Sequence, residues 1–240
     1  MRNNRQETVS DKALRDFIRQ LCGFRVSEKY LALFRLVWVS NTGENRKPNN
    51  ERLVFAGGHT LQNVLASYLF QKYPYATVPA LEDMLERISH HAYLGRIAHR
   101  LKLDSFTPES QKEDFLMLRD CIHSDILKAL VGAICTVKGY AFTEKLILKQ
   151  LNQLESSIKT ISASNPNHKG KLMAWAQKNK ADVFFKPNKT VRYNGKIYHV
   201  VSLYINKEWV ANGCDTNVKD AEQHAAILAS YSFHIDFDFT

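Results

Sequence analysis

An all-α domain followed by a small α+β module is the architecture this sequence predicts, and three observations predict it. Apolar residues recur at helical spacing from Lys12 to about Leu154. A stretch rich in Ser, Asn and Lys, SSIKTISASNPNHKGK (156–171), then interrupts the pattern. Beyond it the chain alternates as strands do, with turn signals at Asn194-Gly195 and around Asn206-Lys207, between two short helical patterns. The order α-β-β-β-α over such a short span is a compact α+β module. The divisions that follow are 12–155 for the helical domain, 156–168 for a linker and 169–235 for the second module. A chain of 240 residues accommodates two domains of ordinary size.

The elements follow in order. ALRDFIRQLCGF places Leu14, Phe17, Ile18 and Leu21 on one helical stripe, and KYLALFRLVWVS is a second apolar segment. SNTGENRKPNN (40–50) is polar and carries Gly, Pro and Asn, so it reads as a loop. HTLQNVLASYLFQKY is a long helix with Leu61, Val64, Leu65 and Leu69 on one face. Two more helical patterns lie in PALEDMLERISHHAYLGRIAHRLKL, and Thr107-Pro108-Glu109 reads as a helix start. SDILKALVGAICTV and FTEKLILKQLNQLESSI complete the helical region. After the linker come a short helix in GKLMAWAQKNK, strands within KTVRYNGKIYHVVSLYINKEWVANG, and a closing helix in NVKDAEQHAAILASYSF.

Lys and Arg number 33 against 24 Asp and Glu, a formal charge of +9, which favours a polyanionic partner without naming it. The four cysteines, at 22, 121, 135 and 214, form no CxxC pair and match no spacing of a zinc or disulfide framework. Each is expected to behave as a small core hydrophobe in a reducing compartment. No apolar run approaches the roughly 20 residues that span a bilayer. The opening MRNNRQETVSDK lacks the apolar core of a secretory signal, and its Glu7 and Asp11 make it a poor mitochondrial presequence.

Two motifs carry a resemblance. ERLVFAGGHTL (51–61) is similar to the ribonuclease III signature, whose usual form is ERLEFLGDxxL, and SDILKALVGAI (124–134) is similar to that family's second acidic motif, ADxxEAxxGAI. ISHHAYLGRIAHRLKLD (88–104) stands where the family has its LAxIAxxLGL helix, and LCGFRVSEKYLALF fits its opening helix and turn. The region after the linker resembles a double-stranded-RNA-binding domain: LMAWAQKNK fits the first helix, YHVVSLYINKEWVANG the strands and NVKDAEQHAAILA the last helix. The resemblance therefore implies an all-α ribonuclease III-like domain followed by an α-β-β-β-α RNA-binding domain.

It also implies a site, and a defect in it. The family cuts phosphodiesters with magnesium, a hard cation held by oxygen ligands from four carboxylates, two per motif. Carried over residue by residue, two of them fall at Val54 and Gly58, which offer no side-chain oxygen, and one is kept as Asp125. The last falls at Lys128, whose ammonium forms an i, i+3 pair with Asp125 and takes the place of the metal. Glu51 remains but is not one of the four. The expectation is no catalysis, no metal ligand and no cofactor. His59, His90, His91 and His123 are read as helix histidines, with His90 and His91 pointing apart.

The RNA-binding expectation rests on charge. The segment from Lys169 to Glu208 holds nine Lys or Arg and two acids. The candidate contacts are Lys169, Lys171, Gln177, Lys178, Lys180, Lys186, Lys189, Arg192, Lys196 and, at the last helix, Lys219. Such domains read duplex shape through 2′-hydroxyls and phosphates, with basic residues acting by counterion release. The module departs from its family: Ala174 replaces a frequent Glu, with Gln177 one turn along as its substitute, VRYNGK replaces a GPxH loop, and Val218-Lys219 replaces a basic pair. These losses fit fixed, irregular RNA or protein better than ordinary duplex. The combination is similar to the branch of the family found in the large subunit of the mitochondrial ribosome. That likeness implies ribosomal RNA and neighbouring ribosomal proteins as partners, in the mitochondrial matrix. The alternatives are a pseudoenzyme that pairs with an active ribonuclease III, with HTLQNVLASYLF as a candidate dimer surface, and an active nuclease with displaced ligands.

Overall fold

The computed structural model describes residues 10–40, 48–107, 112–153 and 167–232. Among the described residues, seven helices and a 3₁₀ turn form the first part: α1 (Asp11–Cys22), α2 (Glu28–Leu36), α3 (Glu51–Lys72), α4 (Val78–Ser89), α5 (His91–Arg100), the turn Leu103–Phe106, α6 (Lys112–Lys138) and α7 (Tyr140–Gln153). α8 (His168–Asn179), β1 (Val183–Tyr193), β2 (Lys196–Ile205), β3 (Glu208–Asp215) and α9 (Val218–Ser232) follow. The expected linker core, the helix start at Pro108 and most of the 40–50 loop lie outside the described residues. None of the helices described is long and apolar enough to cross a membrane.

The helical part is built around α3 and α6. α1 begins with Ser10 accepting the Ala13 N–H at 3.2 Å and ends at Gly23, left-handed at φ 77°. It buries Leu14, Ile18 and Cys22. Trp38, just after α2, is held by its indole N–H donating to the Leu103 carbonyl at 2.7 Å. α3 buries Leu53, Leu61, Val64, Leu65 and Leu69, the stripe the sequence shows. It crosses α6 at a contact that only glycine admits: a Cβ on Gly57 would stand 1.7 Å from the Lys128 carbonyl oxygen, and one on Gly132 would stand 2.4 Å from that of Leu53. This close crossing sets Val54 and Gly58 of α3 against Asp125 and Lys128 of α6.

The second part is a three-stranded antiparallel sheet in the order β1-β2-β3. The β1–β2 turn is Asn194-Gly195, left-handed at φ 45° and 69°, and β2–β3 turns at Asn206-Lys207, at 51° and 68°, as the sequence signals. β1 starts at Val183, earlier than the alternation from Lys189 suggests. The reason is a register shift between Pro187 and Thr190, since proline cannot donate to the ladder and reads as a break. One end of the module has its own small core, in which Leu172 of α8 and Ala225, Ala226 and Ala229 of α9 pack on Leu203 and Ile205. The other end shares the core of the helical part: Tyr193, Tyr198, Val200 and Cys214 belong to the same buried cluster as Ile122 and Ile126.

Candidate nucleic-acid interface and candidate metal site

Asp125 stands on α6 beside the α3 crossing, only 9% exposed. One of its oxygens lies 3.9 Å from the Lys128 ammonium, one helical turn along. The other accepts the side-chain amide of Asn194 at 3.0 Å. Asn194 comes from the β1–β2 turn, and the same amide nitrogen donates its second hydrogen to Asn50 Oδ1 at 3.1 Å. Asn50, fully buried ahead of α3, in turn donates to the Val37 carbonyl at 3.0 Å. The tip of the RNA-binding module is therefore seated in the pocket between the two motif helices, with Tyr193 and Tyr198 buried behind it. Both phenols are pushed up by burial, then by the Asp125 charge.

Burial dominates the electrostatics of the Asp125–Lys128 pair. Burial pushes the Asp125 carboxyl up, against the opposing pulls of Lys128, the Asn194 amide and Lys196. Burial likewise pushes the Lys128 ammonium down, against the pull of Asp125. Val54 is half-buried and carries no oxygen, and a Cβ on Gly58 would stand 3.8 Å from Lys128 Cδ, an open position that holds no ligand. A hard divalent cation needs about six oxygens. Of the four positions carried over from the family, this pocket offers one carboxylate, Asp125, already bonded to an amide and beside a cation.

The predicted RNA-binding residues divide into three groups. Gln177 and Lys178 stand exposed on α8, with Ala174 on the same face and Lys180 exposed just past its end, and Lys186, Lys189 and Lys219 are exposed as well. Arg192 and Lys196 are exposed, but the turn between them is inserted against Asp125, so the VRYNGK loop does not present its tip outward. Lys169 and Lys171 do not belong to the open surface. Lys169 is paired with Glu222 at 2.5 Å and lies 4.9 Å over the Phe185 ring, and Lys171 is half-buried, its ammonium pushed down by burial and then by Arg87.

Three other expectations change. Leu61, Val64, Leu65 and Leu69 of the candidate dimer surface are core; the exposed large apolar groups of α3 are Phe55 and Phe70. His90 and His91 do not diverge. His90 precedes α5 as its N-cap, its Nδ1 accepting the Ala92 N–H at 3.2 Å, so the two rings turn together with centroids 4.1 Å apart. Cys121 and Cys214 are not isolated: they are joined as a disulfide across the seam between α6 and β3, with His91 and His224 beside them. Cys22 and Cys135 are free, Cys22 in the core, where burial pushes its thiol up to about 12. The Asn194 contact and the His-Cys cluster are not legible in the sequence, because each joins residues about 70 to 130 positions apart.

Comparison with known proteins agrees with this geometry. A family model described as ribonuclease-III-like matches residues 31–154, just over half of the chain, and one described as a double-stranded RNA binding motif matches 168–230. The chain belongs to the ribonuclease III family. Among curated relatives, Ribonuclease 3 of Zunongwangia profunda is 27% identical over 220 residues, covering 90% of this chain and 89% of that protein. Ribonuclease 3 of Pelagibacter ubique is 30% identical, covering 75% and 81%. Ribonuclease 3 of Flavobacterium psychrophilum is 29% identical, covering 79% and 76%. Among solved structures, the nuclease domain of ribonuclease III from Campylobacter jejuni, described for its flexibility in a region involved in dimer formation, superposes with TM-score 0.52 at 24% identity. That match covers 57% of this chain and 96% of that one.

Proposed function

We propose that this member of the ribonuclease III family does not cut RNA and instead binds structured RNA as a component of a ribonucleoprotein. The observation that carries the reading is the pair of groups on Asp125: the Lys128 ammonium at 3.9 Å and the Asn194 amide at 3.0 Å stand where a nuclease of this family needs metal and water. A cation at that distance repels magnesium, and Val54 and Gly58 supply no oxygen to offset it. The seated β1–β2 turn supports a module held in one orientation, which suits a fixed RNA surface rather than a mobile grip on duplex. The exposed basic groups run along α8 and onto β1, from Lys178 to Lys189. The particle proposed is the large subunit of the mitochondrial ribosome, in the matrix, a reading supported by the pattern of lost acids and the degenerate RNA-binding motif. Gradient sedimentation of the endogenous protein with mass spectrometry of its companions tests it: migration with a large ribosomal subunit at moderate salt is expected, and migration free of any ribosomal particle rejects it.

A second reading has its own observation. Phe55 and Phe70 of α3 are 69% and 71% exposed, and they give the helical domain an apolar surface for a second ribonuclease III domain. In that reading the chain pairs with an active enzyme and positions its substrate. Co-purification of a catalytic partner from the same gradient, abolished by Phe55→Ser, supports it.

A further inference from the structure

We propose that His91, Cys121, Cys214 and His224 form a structural zinc site that fastens the RNA-binding module to the helical domain. This inference does not depend on the functional reading above. The four residues offer two sulfurs and two ring nitrogens, all within 4.8 Å of one another. Two come from the helical part, His91 on α5 and Cys121 on α6, and two from the module, Cys214 on β3 and His224 on α9. Close backbone approaches assemble them: a Cβ on Gly95 would stand 2.6 Å from the Asp120 carbonyl oxygen, and one on Gly213 would stand 2.0 Å from that of Ala221.

The histidines are oriented as ligands are. His224 Nε2 lies 3.2 Å from the buried Asp120 carboxylate, which fixes the proton there and leaves the Nδ1 lone pair facing the cluster. His91 Nδ1 lies 3.6 Å from the Asp215 carboxylate, and its Nε2 faces His224 Nδ1 at 3.0 Å. A carboxylate behind each imidazole is the arrangement that sets tautomer and aim in metal sites. Nδ1 of His224 is also 3.0 Å from the Cys214 N–H, the bond it makes when no metal is bound. Cys121, Cys214 and His224 are no more than 2% exposed. A divalent ion with two thiolates and two neutral imidazoles carries no net charge, so it suits such a place, and two Cys with two His is a donor set that selects tetrahedral zinc. Opening the Cys121–Cys214 disulfide takes two electrons from a thiol reductant, and zinc binding to the resulting thiols then releases two protons and moves no further electrons.

A disulfide is the competing use of the two sulfurs. The structure joins Cys121 and Cys214 as a disulfide, so the zinc site proposed is that of the reduced chain. Once reduced, the two thiolates can each stand roughly 2.3 Å from a shared zinc, with the two imidazoles completing the set.

The test uses the full chain, purified under reducing conditions. Elemental analysis is expected to find one zinc per chain. Exchange for Co²⁺ is expected to give the visible bands of a tetrahedral site together with thiolate charge-transfer absorption. Cys121→Ser and Cys214→Ser should each abolish the charge-transfer intensity expected of two thiolates, while Cys135→Ser leaves it intact. Because the variants at the seam can misfold, the cobalt spectrum of the unaltered chain is decisive by itself. Reduced protein that binds neither Zn²⁺ nor Co²⁺ stoichiometrically overturns the proposal, as does a Cys121–Cys214 disulfide found in protein that shows no cobalt–thiolate band after reduction.

Discussion

Removing one member of the Asp125–Lys128 pair is expected to destabilise the fold, and replacing both is not. Burial outweighs mutual attraction for each group, pushing Asp125 up and Lys128 down, so the pair is held together against desolvation. Asp125→Ala leaves the Lys128 ammonium, with a side chain only 24% exposed, beside an Asn194 amide hydrogen deprived of its carboxylate acceptor. Breaking a buried pair from one side costs about 3–5 kcal/mol. The 3.9 Å separation and the partial exposure of Lys128 lower this to roughly 1.5–3 kcal/mol. At about 2–4 °C per kcal/mol for a chain of this size, Tm falls by roughly 3–12 °C. The double variant Asp125→Asn/Lys128→Met keeps an acceptor for Asn194 and removes both charges, so it should lie within about 1 kcal/mol of the parent or above it. Thermal and urea unfolding read both, and RNA affinity measured in parallel should not move with Asp125→Ala. A double variant as unstable as the single one would refute the reasoning, because it would show that the ion pair itself, and not its desolvation, dominates the pocket.

Three further outcomes are expected. Gly57→Ala should destabilise by about 3 kcal/mol or more, since its Cβ meets the Lys128 carbonyl at 1.7 Å, whereas Gly58→Ala, whose Cβ would make an ordinary contact with Lys128 Cδ at 3.8 Å, should stabilise by about 0.5–1 kcal/mol through helix propensity; urea midpoints of the two variants check this. His168 is held down to about 4 by burial, then by Lys171 and Arg87, so its neutral form is favoured on folding; the stability linked to it is present above its ordinary value of 6.5 and diminishes as pH falls toward 4, and His168→Gln should remove that part of the acid slope in urea titrations. Neutralising Lys178, Lys180 and Lys186 together should weaken RNA binding and reduce the salt slope by up to about one for each phosphate no longer neutralised, as read from affinity at several salt concentrations; an unchanged slope would move the interface elsewhere.

Much of this architecture is legible in the chain. The Leu61, Val64, Leu65, Leu69 stripe gives α3, and Asn194-Gly195 gives the hairpin, because local spacing and local backbone preference decide both. The Asp125–Lys128 contact is also readable, since one helical turn separates them. What the sequence hides is where the second module sits. Asn194 reads as a turn residue, and nothing near it says that its amide ends on Asp125, 69 positions away. The same holds for Cys121 and Cys214, which lack any metal-binding spacing because each stands in a different part of the fold. Lys169 reads as an RNA contact from charge alone, and charge does not tell an open ammonium from one paired with Glu222.

The most direct test of the central claim is single-turnover incubation of structured RNA with saturating full-length protein and Mg²⁺ or Mn²⁺, with binding and strand integrity read from the same samples. Bound but intact RNA at every metal concentration is the predicted result. Metal-dependent cleavage that disappears in Asp125→Ala would contradict it and make the chain an active nuclease with a rearranged metal site.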